Sequence, residues 1–213
     1  MIVAVSHQKG GVGKSTICWN MAGYLQKKKI DFIIIDLDVQ QTLTGLNKIR
    51  KKYNPKKAFT IKTFDDKKVL IDFLNDVEED EIVLVDSGGF DSTYNRIAIM
   101  ASDEIVTPVS SHFIEILGLQ KYEEILQEVS KVVDRKIKTN VVLNRIKPIQ
   151  KDFKELKKFI NKSSHYKIMD SILRDRVEIS TIISTGATII ESKKKDTKAK
   201  GEFNAFCKEL FKH

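Results

Sequence analysis

The chain has 213 residues, of which 41% are hydrophobic and 31% charged, and its formal net charge is +8. This balance is typical of a folded globular protein and excludes a disordered chain. The longest apolar runs are too short to cross a bilayer, and Cys18 and Cys207 have neither disulfide nor metal-ligand spacing. We therefore expect one domain over residues 1–213 in the reducing cytoplasm, and the charge favours anionic partners.

Strand-like apolar runs alternate with helix-like segments along the chain. The predicted strands are 2–6, 32–36, 58–63, 82–86, 104–108 and 139–144. The predicted helices are 14–28, 66–76, 92–101, 115–134 and 150–163, and residues 168–213 predict a short strand, a helix near 177–184 and a C-terminal helix. Continuous apolar strands separated by helices indicate an α/β fold, a doubly wound, mostly parallel sheet with helices on both faces. Ligands of such sheets bind beyond the carboxyl ends of the strands.

A glycine-rich loop joins the first predicted strand to the first predicted helix. Residues 9–16 read Lys-Gly-Gly-Val-Gly-Lys-Ser-Thr, a phosphate-loop motif that ends in Gly-Lys-Ser and stands in the expected strand–loop–helix context. We expect Lys14 to reach the β- and γ-phosphates of a nucleotide, Ser15 to bind Mg²⁺ and Thr16 to contact the α-phosphate. The predicted phosphate-binding residues are Gly10, Gly11, Val12, Gly13, Lys14, Ser15 and Thr16.

Lys9 stands directly before the glycine pair, where the general phosphate-loop pattern has no lysine. The stretch His-Gln-Lys-Gly-Gly-Val-Gly-Lys-Ser-Thr at 7–16 resembles the deviant Walker A box of the ParA/MinD family of P-loop ATPases. The resemblance implies that ATP and Mg²⁺ join two copies into a homodimer, in which Lys9 contacts the partner's nucleotide. It implies catalytic roles for both Lys9 and Lys14.

Aspartates follow two of the apolar strands. Asp36 ends the second strand and Asp38 follows it, and Asp86 ends the strand at 82–86. From these positions a carboxylate can hold Mg²⁺ or position water beside a phosphate loop. The resemblance implies that Asp38 orients the attacking water, that Asp36 supports the metal shell and that Asp86 binds Mg²⁺. Val39 stands where the family has proline, and residues 87–89 read Ser-Gly-Gly where it often has prolines.

The second half of the chain resembles the family less closely. In the family, adenine lies near an asparagine that ends a late strand and near a loop beyond the next strand. The resemblance implies adenine contacts for Asn144 and Arg174. The C-terminal helix has apolar residues at helical spacing, a pattern that favours packing onto its own domain over membrane binding. These residues are Phe203, Phe206, Leu210 and Phe211.

The leading hypothesis is a ParA-like ATPase with slow hydrolysis stimulated by a ParB-like partner. Its ATP-bound dimer would bind DNA non-specifically and act in DNA partition or cargo positioning. Because the chain starts at the phosphate-loop strand, we expect no N-terminal helix-turn-helix and hence no sequence preference. The predicted DNA contacts are Lys193, Lys194, Lys195, Lys198 and Lys200.

Three further hypotheses remain open. The first is a MinD-like ATPase that cycles on and off a membrane, and the second is a metabolic relative, such as a small-molecule synthetase or an iron–sulfur reductase. The positions of the two cysteines argue against a bridging cluster. The third is a P-loop kinase, for which the sequence reveals neither an acceptor pocket nor a lid.

Overall fold

The computed structural model describes residues 1–111, 114–194 and 197–212. The described residues form one sheet of seven strands, all paired in parallel. The strands are β1 Ile2–Val5, β2 Phe32–Asp36, β3 Ile61–Lys62, β4 Ile82–Asp86, β5 Glu104–Val109, β6 Thr139–Ile146 and β7 Tyr166–Arg174. Their order across the sheet is β3-β2-β4-β1-β5-β6-β7. The predicted α/β fold is confirmed.

Helices cover both faces of this sheet. They are α1 Lys14–Lys28, α2 Thr42–Tyr53, α3 Lys67–Asn75, α4 Thr93–Ala101, α5 Ile114–Val132, α6 Lys154–Lys162, α7 Val177–Ile183 and α8 Lys198–Leu210, with short 3₁₀ helices at Pro55–Lys57 and Ile189–Glu191. One face packs against α1, α2, α7 and α8, and the other against α3 to α6. The central strands β1 and β4 are apolar on both sides, as a doubly covered parallel sheet requires.

Four elements differ from the sequence prediction, one of them α6, which begins at Lys154 instead of residue 150. Helix α2 was not predicted, because the residues it buries are Leu43, Asn47 and Arg50, and a mostly polar buried face gives no hydrophobic period. Strand β3 is two residues long instead of the predicted 58–63, since it is an edge strand that pairs only with β2. Strand β7 is nine residues long rather than short, because it continues past two irregularities in its pairing with β6.

The C-terminal helix α8 turns its apolar face towards its own domain. Phe203, Phe206 and Leu210 are buried in the core beside α1, and Phe211 stacks on Tyr24. This arrangement agrees with the packing role predicted for these residues. Among the described residues, no helix combines the length and apolar character needed to cross a membrane.

Candidate nucleotide-binding site

The phosphate loop lies between β1 and α1 at the carboxyl edge of the sheet. Gly11 and Gly13 adopt left-handed conformations with φ of 76° and 98°, which only glycine adopts readily. A Cβ at Gly13 would lie 2.5 Å from the Asn144 amide nitrogen, whereas at Gly10 and Gly11 it would meet no described atom within 4 Å. The loop is therefore tight where it contacts the protein and open along its glycine pair, as a phosphate cradle requires.

Lys14, the first residue of α1, is buried in this loop. Its Nζ donates a 3.0 Å hydrogen bond to the Lys9 carbonyl oxygen, so the ammonium lies inside the curve of the loop. Burial lowers the pKa of Lys14, and the nearby carboxylates of Asp86 and Asp38 oppose this shift. The structure thus brings both lysines of the motif together with two of the predicted aspartates.

The carboxylates of Asp36 and Asp86 lie side by side. The two residues are register partners at the ends of β2 and β4 and are both buried. Asp36 Oδ2 accepts hydrogen bonds of 2.9 Å from the Thr44 backbone N–H and hydroxyl, while Oδ1 has no partner among the described residues. Both Asp86 oxygens also lack a well-formed hydrogen bond there. Three buried carboxylate oxygens therefore remain available.

Burial also changes the ionisation of this pair. It raises the pKa of Asp86 to about 8, against the opposing influence of the Ser15 hydroxyl, and it raises the pKa of Asp36, against the Thr44 hydrogen bonds.

Buried oxygens without partners are costly unless a cation or donor satisfies them. Among the described residues, no group of three or more His, Cys, Asp or Glu side chains forms a metal site. Mg²⁺ typically takes only one or two carboxylates and completes its shell with phosphates and water. The residues present fit Mg²⁺ bound together with a nucleotide.

Asp38 lies at the rim of the site, in the loop before α2. Its Oδ1 accepts a 2.9 Å hydrogen bond from the Gln40 N–H, and its carbonyl accepts one of 2.8 Å from the Gln41 N–H. The side chain is half-buried and is close enough to Asp86 to contribute to the raised pKa of that residue. Asp38 thus stands beside the carboxylate pair without being part of it.

Lys9 forms an ion pair within its own chain. Its Nζ donates a 2.8 Å hydrogen bond to Glu115 Oε1, which also accepts one of 3.1 Å from Ser110 Oγ. The side chain of Lys9 is 38% exposed and that of Glu115 only 6%. The Lys9 backbone N–H donates to Nδ1 of the buried His7, whose pKa burial lowers to about 3. The neutral imidazole of His7 and the carboxylate of Glu115 therefore position Lys9 at the edge of the phosphate loop.

Two cavities adjoin the loop. One, of about 520 Å³, is lined by Thr16, Asn144 and Arg174 among others. Asn144 Nδ2 donates a 2.8 Å hydrogen bond to the Val12 carbonyl, and Arg174 Nη1 donates to the carbonyls of Lys147 and Gln150. The structure thus places both predicted adenine residues on one cavity wall, next to the predicted α-phosphate ligand.

The other cavity, of about 470 Å³, is lined by residues that include Lys9, Gly10, Gly11 and Glu115. Arg145 lines both cavities, and its Nη1 donates a 2.6 Å hydrogen bond to the Gly11 carbonyl. Sequence reasoning did not single out Arg145. A cation directly after the strand-ending asparagine was the signal that could have identified it.

The predicted DNA-binding lysines that the structure describes line neither of these cavities. Lys193, Lys194 and Lys198 are exposed, while Lys200 is half-buried and its Nζ donates a 3.1 Å hydrogen bond to the Ser192 carbonyl. Lys195 lies outside the described residues. Of the four that are described, Lys200 is the least available to a partner.

The sequence of this chain is similar to that of a known protein. The chain is 25% identical over 190 residues to an uncharacterized protein of Borreliella burgdorferi, covering 71% of this chain and 76% of the relative.

Three solved structures with low sequence identity show the same fold. One is a plasmid partition protein of Borrelia burgdorferi bound to AMPPNP (TM-score 0.69, 16% identity, 99% of this chain and 98% of that one). Another is apo McdA of Cyanothece (TM-score 0.74, 17% identity, 98% of each chain). The third is cobyrinic acid a,c-diamide synthase of Mycobacterium smegmatis with an ATP analogue and magnesium (TM-score 0.71, 13% identity, 100% and 94%).

A protein-family model also matches this chain and shows which family it belongs to. The CobQ/CobB/MinD/ParA nucleotide binding domain matches residues 3–189, which include the phosphate loop, all three aspartates, Asn144 and Arg174. The chain therefore belongs to the CobQ/CobB/MinD/ParA nucleotide-binding domain family.

Proposed function

We propose that this protein is a ParA-like, Mg²⁺-dependent ATPase that dimerises on binding ATP, binds DNA without sequence preference as a dimer and is released by hydrolysis. Hydrolysis is slow alone and is stimulated by a ParB-like partner. The observation that carries the ATPase assignment is the set of buried, unpartnered carboxylate oxygens of Asp36 and Asp86 beside an open glycine cradle.

Each predicted residue has a defined task in this proposal. Ser15 and Asp86 would hold Mg²⁺ and Asp36 would support its shell, and the metal would supply positive charge beside the phosphate oxygens. Lys14 stabilises the charge that develops on the transferred phosphoryl group. Asp38, at the rim, orients the attacking water. Asn144 and Arg174 hold the adenine in the cavity next to Thr16.

Exposed apolar side chains at the carboxyl edge of the sheet support the dimer. Of the eleven large apolar side chains exposed among the described residues, five follow the carboxyl ends of β2, β4, β5, β6 and β7. They are Val39, Phe90, Leu117, Ile149 and Val177. Single exposed apolar residues need no explanation, but several at one edge are typical of an interaction surface. A second copy docked over the nucleotide would cover them and receive Lys9.

Sedimentation tests the dimer. The Asp38→Ala variant should bind ATP without hydrolysing it, and should sediment as a dimer with ATP and Mg²⁺ but as a monomer with ADP. The wild type with ADP is the control for nucleotide binding without assembly. A monomer at saturating ATP would contradict the proposed interface.

Two lysine variants separate the roles within one chain from those across the interface. Lys14→Ala should lose nucleotide binding, because its ammonium lies inside the loop. Lys9→Ala should keep ATP binding and lose dimerisation and turnover, since its Nζ contacts Glu115 rather than the glycine loop. If both variants bind and hydrolyse ATP like the wild type, the assignment of the motif is wrong.

DNA binding is tested by titrating the ATP-bound wild type with two unrelated duplexes at several salt concentrations. Equal affinities that fall steeply with salt are expected for phosphate contacts. A variant with Lys193, Lys194 and Lys195 replaced by alanine tests the stretch singled out in the sequence. Binding to anionic vesicles instead of DNA would favour the membrane-cycling alternative, although the apolar face of α8 is buried in its own domain.

A further inference from the structure

One segment of this chain combines many basic residues with no acidic residue. Residues 39–64 contain seven Lys and Arg and no Asp or Glu, whereas the other strongly basic segment, 135–167, has eleven Lys and Arg together with two acidic residues. The lysine-rich stretch at 193–200, by contrast, also contains an aspartate. Basic residues without acidic neighbours in the sequence indicate a surface for an anionic partner more strongly than a total of +8 does.

The fold turns the lysines of this segment outwards together. Helix α2 buries Leu43, Asn47 and Arg50, so its opposite side carries the exposed Lys48, Lys51 and Lys52, which are neighbours at spacings of three and four residues. Lys56 and Lys57 follow in the 3₁₀ helix and are exposed as well. We call these five lysines the basic ridge.

A buried arginine fixes the ridge to the rest of the domain. The Arg50 side chain is 3% exposed and donates to both carboxylate oxygens of Glu191, at 2.7 and 3.0 Å. It also donates to the Gly186 and Lys57 carbonyls and to Gln26 Oε1. The charge of Glu191 is therefore largely taken up by Arg50, with only a 3.4 Å contact left for Lys57. The ridge keeps its charge on a rigid support.

The ridge continues across a groove towards the C-terminal part of the chain. A groove of about 580 Å³ is lined by residues that include Arg50, Tyr53, Asn54, Gly186 and Lys193. Tyr53 is 70% exposed and lies under the Lys52 ammonium, 5.8 Å from the ring centroid. Lys193 therefore brings the sequence-predicted stretch to the border of the same surface.

We propose that the basic ridge is the main surface that contacts the phosphate backbone of duplex DNA, with Lys193 and Lys194 at its border. This rests on the proposed function and names the surface that performs its DNA-binding step. Lysine ammonium groups on flexible stems contact phosphates as point charges and do not read base edges, in agreement with binding that lacks sequence preference.

Neither the helix dipole nor a membrane surface accounts for the whole ridge. Cations in the last turn of a helix complement its dipole, which explains Lys51 and Lys52 but not Lys56, Lys57 or Lys193. A helix that lies on an anionic membrane needs an apolar face directed at the lipid. The apolar side of α2, represented by Leu43, is instead buried in the domain core. Duplex DNA requires only charge and a rigid support.

The test compares two triple variants of equal charge. The ridge variant is Lys51→Gln, Lys52→Gln, Lys56→Gln, and the control variant is Lys154→Gln, Lys157→Gln, Lys158→Gln. The control lysines are exposed on α6, on the opposite face of the sheet. DNA affinity of each ATP-bound protein is measured against salt concentration, with ATP affinity and circular dichroism as checks on folding.

In the ridge variant we expect affinity at about 100 mM salt to fall at least tenfold and the log–log salt slope to become shallower by about 0.9 for each lysine in contact. The control variant should bind like the wild type. Equal affinity of the two variants, whether both retained or both reduced, would overturn the ridge assignment while leaving DNA binding of the wild type intact. Failure of the wild type to bind DNA would overturn the proposed function itself. In that case, vesicle binding lost only in the ridge variant would reassign the ridge to a lipid surface.

Discussion

Replacing Arg50 by methionine tests whether the support beneath the basic ridge is as rigid as its contacts indicate. The substitution keeps most of the side-chain volume but removes the guanidinium that donates to Glu191, Gly186, Lys57 and Gln26. Removing one partner of a buried ion pair costs about 3–5 kcal/mol, because the other charge stays behind without compensation. Since the Glu191 side chain is 19% exposed, we expect the lower end, about 3 kcal/mol.

The measurement is urea unfolding followed by circular dichroism at pH 7. A loss of about 3 kcal/mol corresponds to a fall in melting temperature of roughly 6–12 °C for a chain of this size. Arg96→Met is the matched control, because Arg96 pairs with Asp91 and Glu128 at the surface, where ion pairs contribute about 0–1 kcal/mol. A loss in Arg50→Met of less than about 1 kcal/mol, or equal losses in the two variants, would refute the reasoning.

Three further predictions concern the residues around the phosphate loop. Gly89→Ala would place a Cβ 2.9 Å from the backbone of that loop. The overpacking, about 1–3 kcal/mol, should weaken ATP binding roughly 5- to 150-fold as measured by calorimetry. Gly201→Ala is the control and should bind ATP like the wild type, because a Cβ there would meet open space. His7 has its pKa lowered to about 3, so the unfolded chain takes up a proton below pH 6.5 that the folded chain does not. Between pH 7 and 5 the free energy of unfolding of the wild type should therefore fall by about 2 kcal/mol relative to that of His7→Asn, and the same pH dependence in both proteins would contradict this. Glu115→Gln removes the negative charge that pairs with Lys9 within the same chain. Losing this partly exposed charged hydrogen bond, worth about 1 kcal/mol, should tighten ATP-dependent dimerisation about fivefold in sedimentation. Weaker dimerisation would show that Glu115 supports the dimer instead.

The sequence predicted those parts of the site that depend on local chemistry. Helix α1 has the predicted bounds, 14–28, because the glycine loop before it and the apolar pattern within it are both local signals. Asp36 and Asp86 were predicted to lie beside the phosphate loop because each ends an apolar strand, and the carboxyl ends of parallel strands lie at one edge of a sheet. The structure adds that the two are register partners.

The parts that the sequence did not predict depend on contacts between distant residues. Arg145 contacts Gly11, 134 residues away, through a left-handed turn at φ 55° that the sequence pattern does not encode. Helix α2 is stabilised by Asn47, which exchanges hydrogen bonds of 2.8 and 2.9 Å with the Phe59 backbone, and by the buried Arg50. Polar anchors of this kind leave no hydrophobic period. The basic ridge contains no run of more than two lysines, so its sequence gives a weaker signal than residues 193–195 do.

Helix α2 is fixed at both ends, with a consequence for the loop that precedes it. Thr44, in its first turn, is hydrogen-bonded to Asp36, and Arg50, in its last turn, is bonded to Glu191. Movement of Asp38 relative to a bound nucleotide must therefore be taken up by backbone rotation within residues 37–41. Valine at position 39 leaves a φ angle free that the family's proline would fix, and ordering this hinge costs about 0.4–1 kcal/mol more than with proline. A chain with valine there would bind nucleotide about two- to fivefold more weakly than one with proline, in exchange for a loop that can adjust.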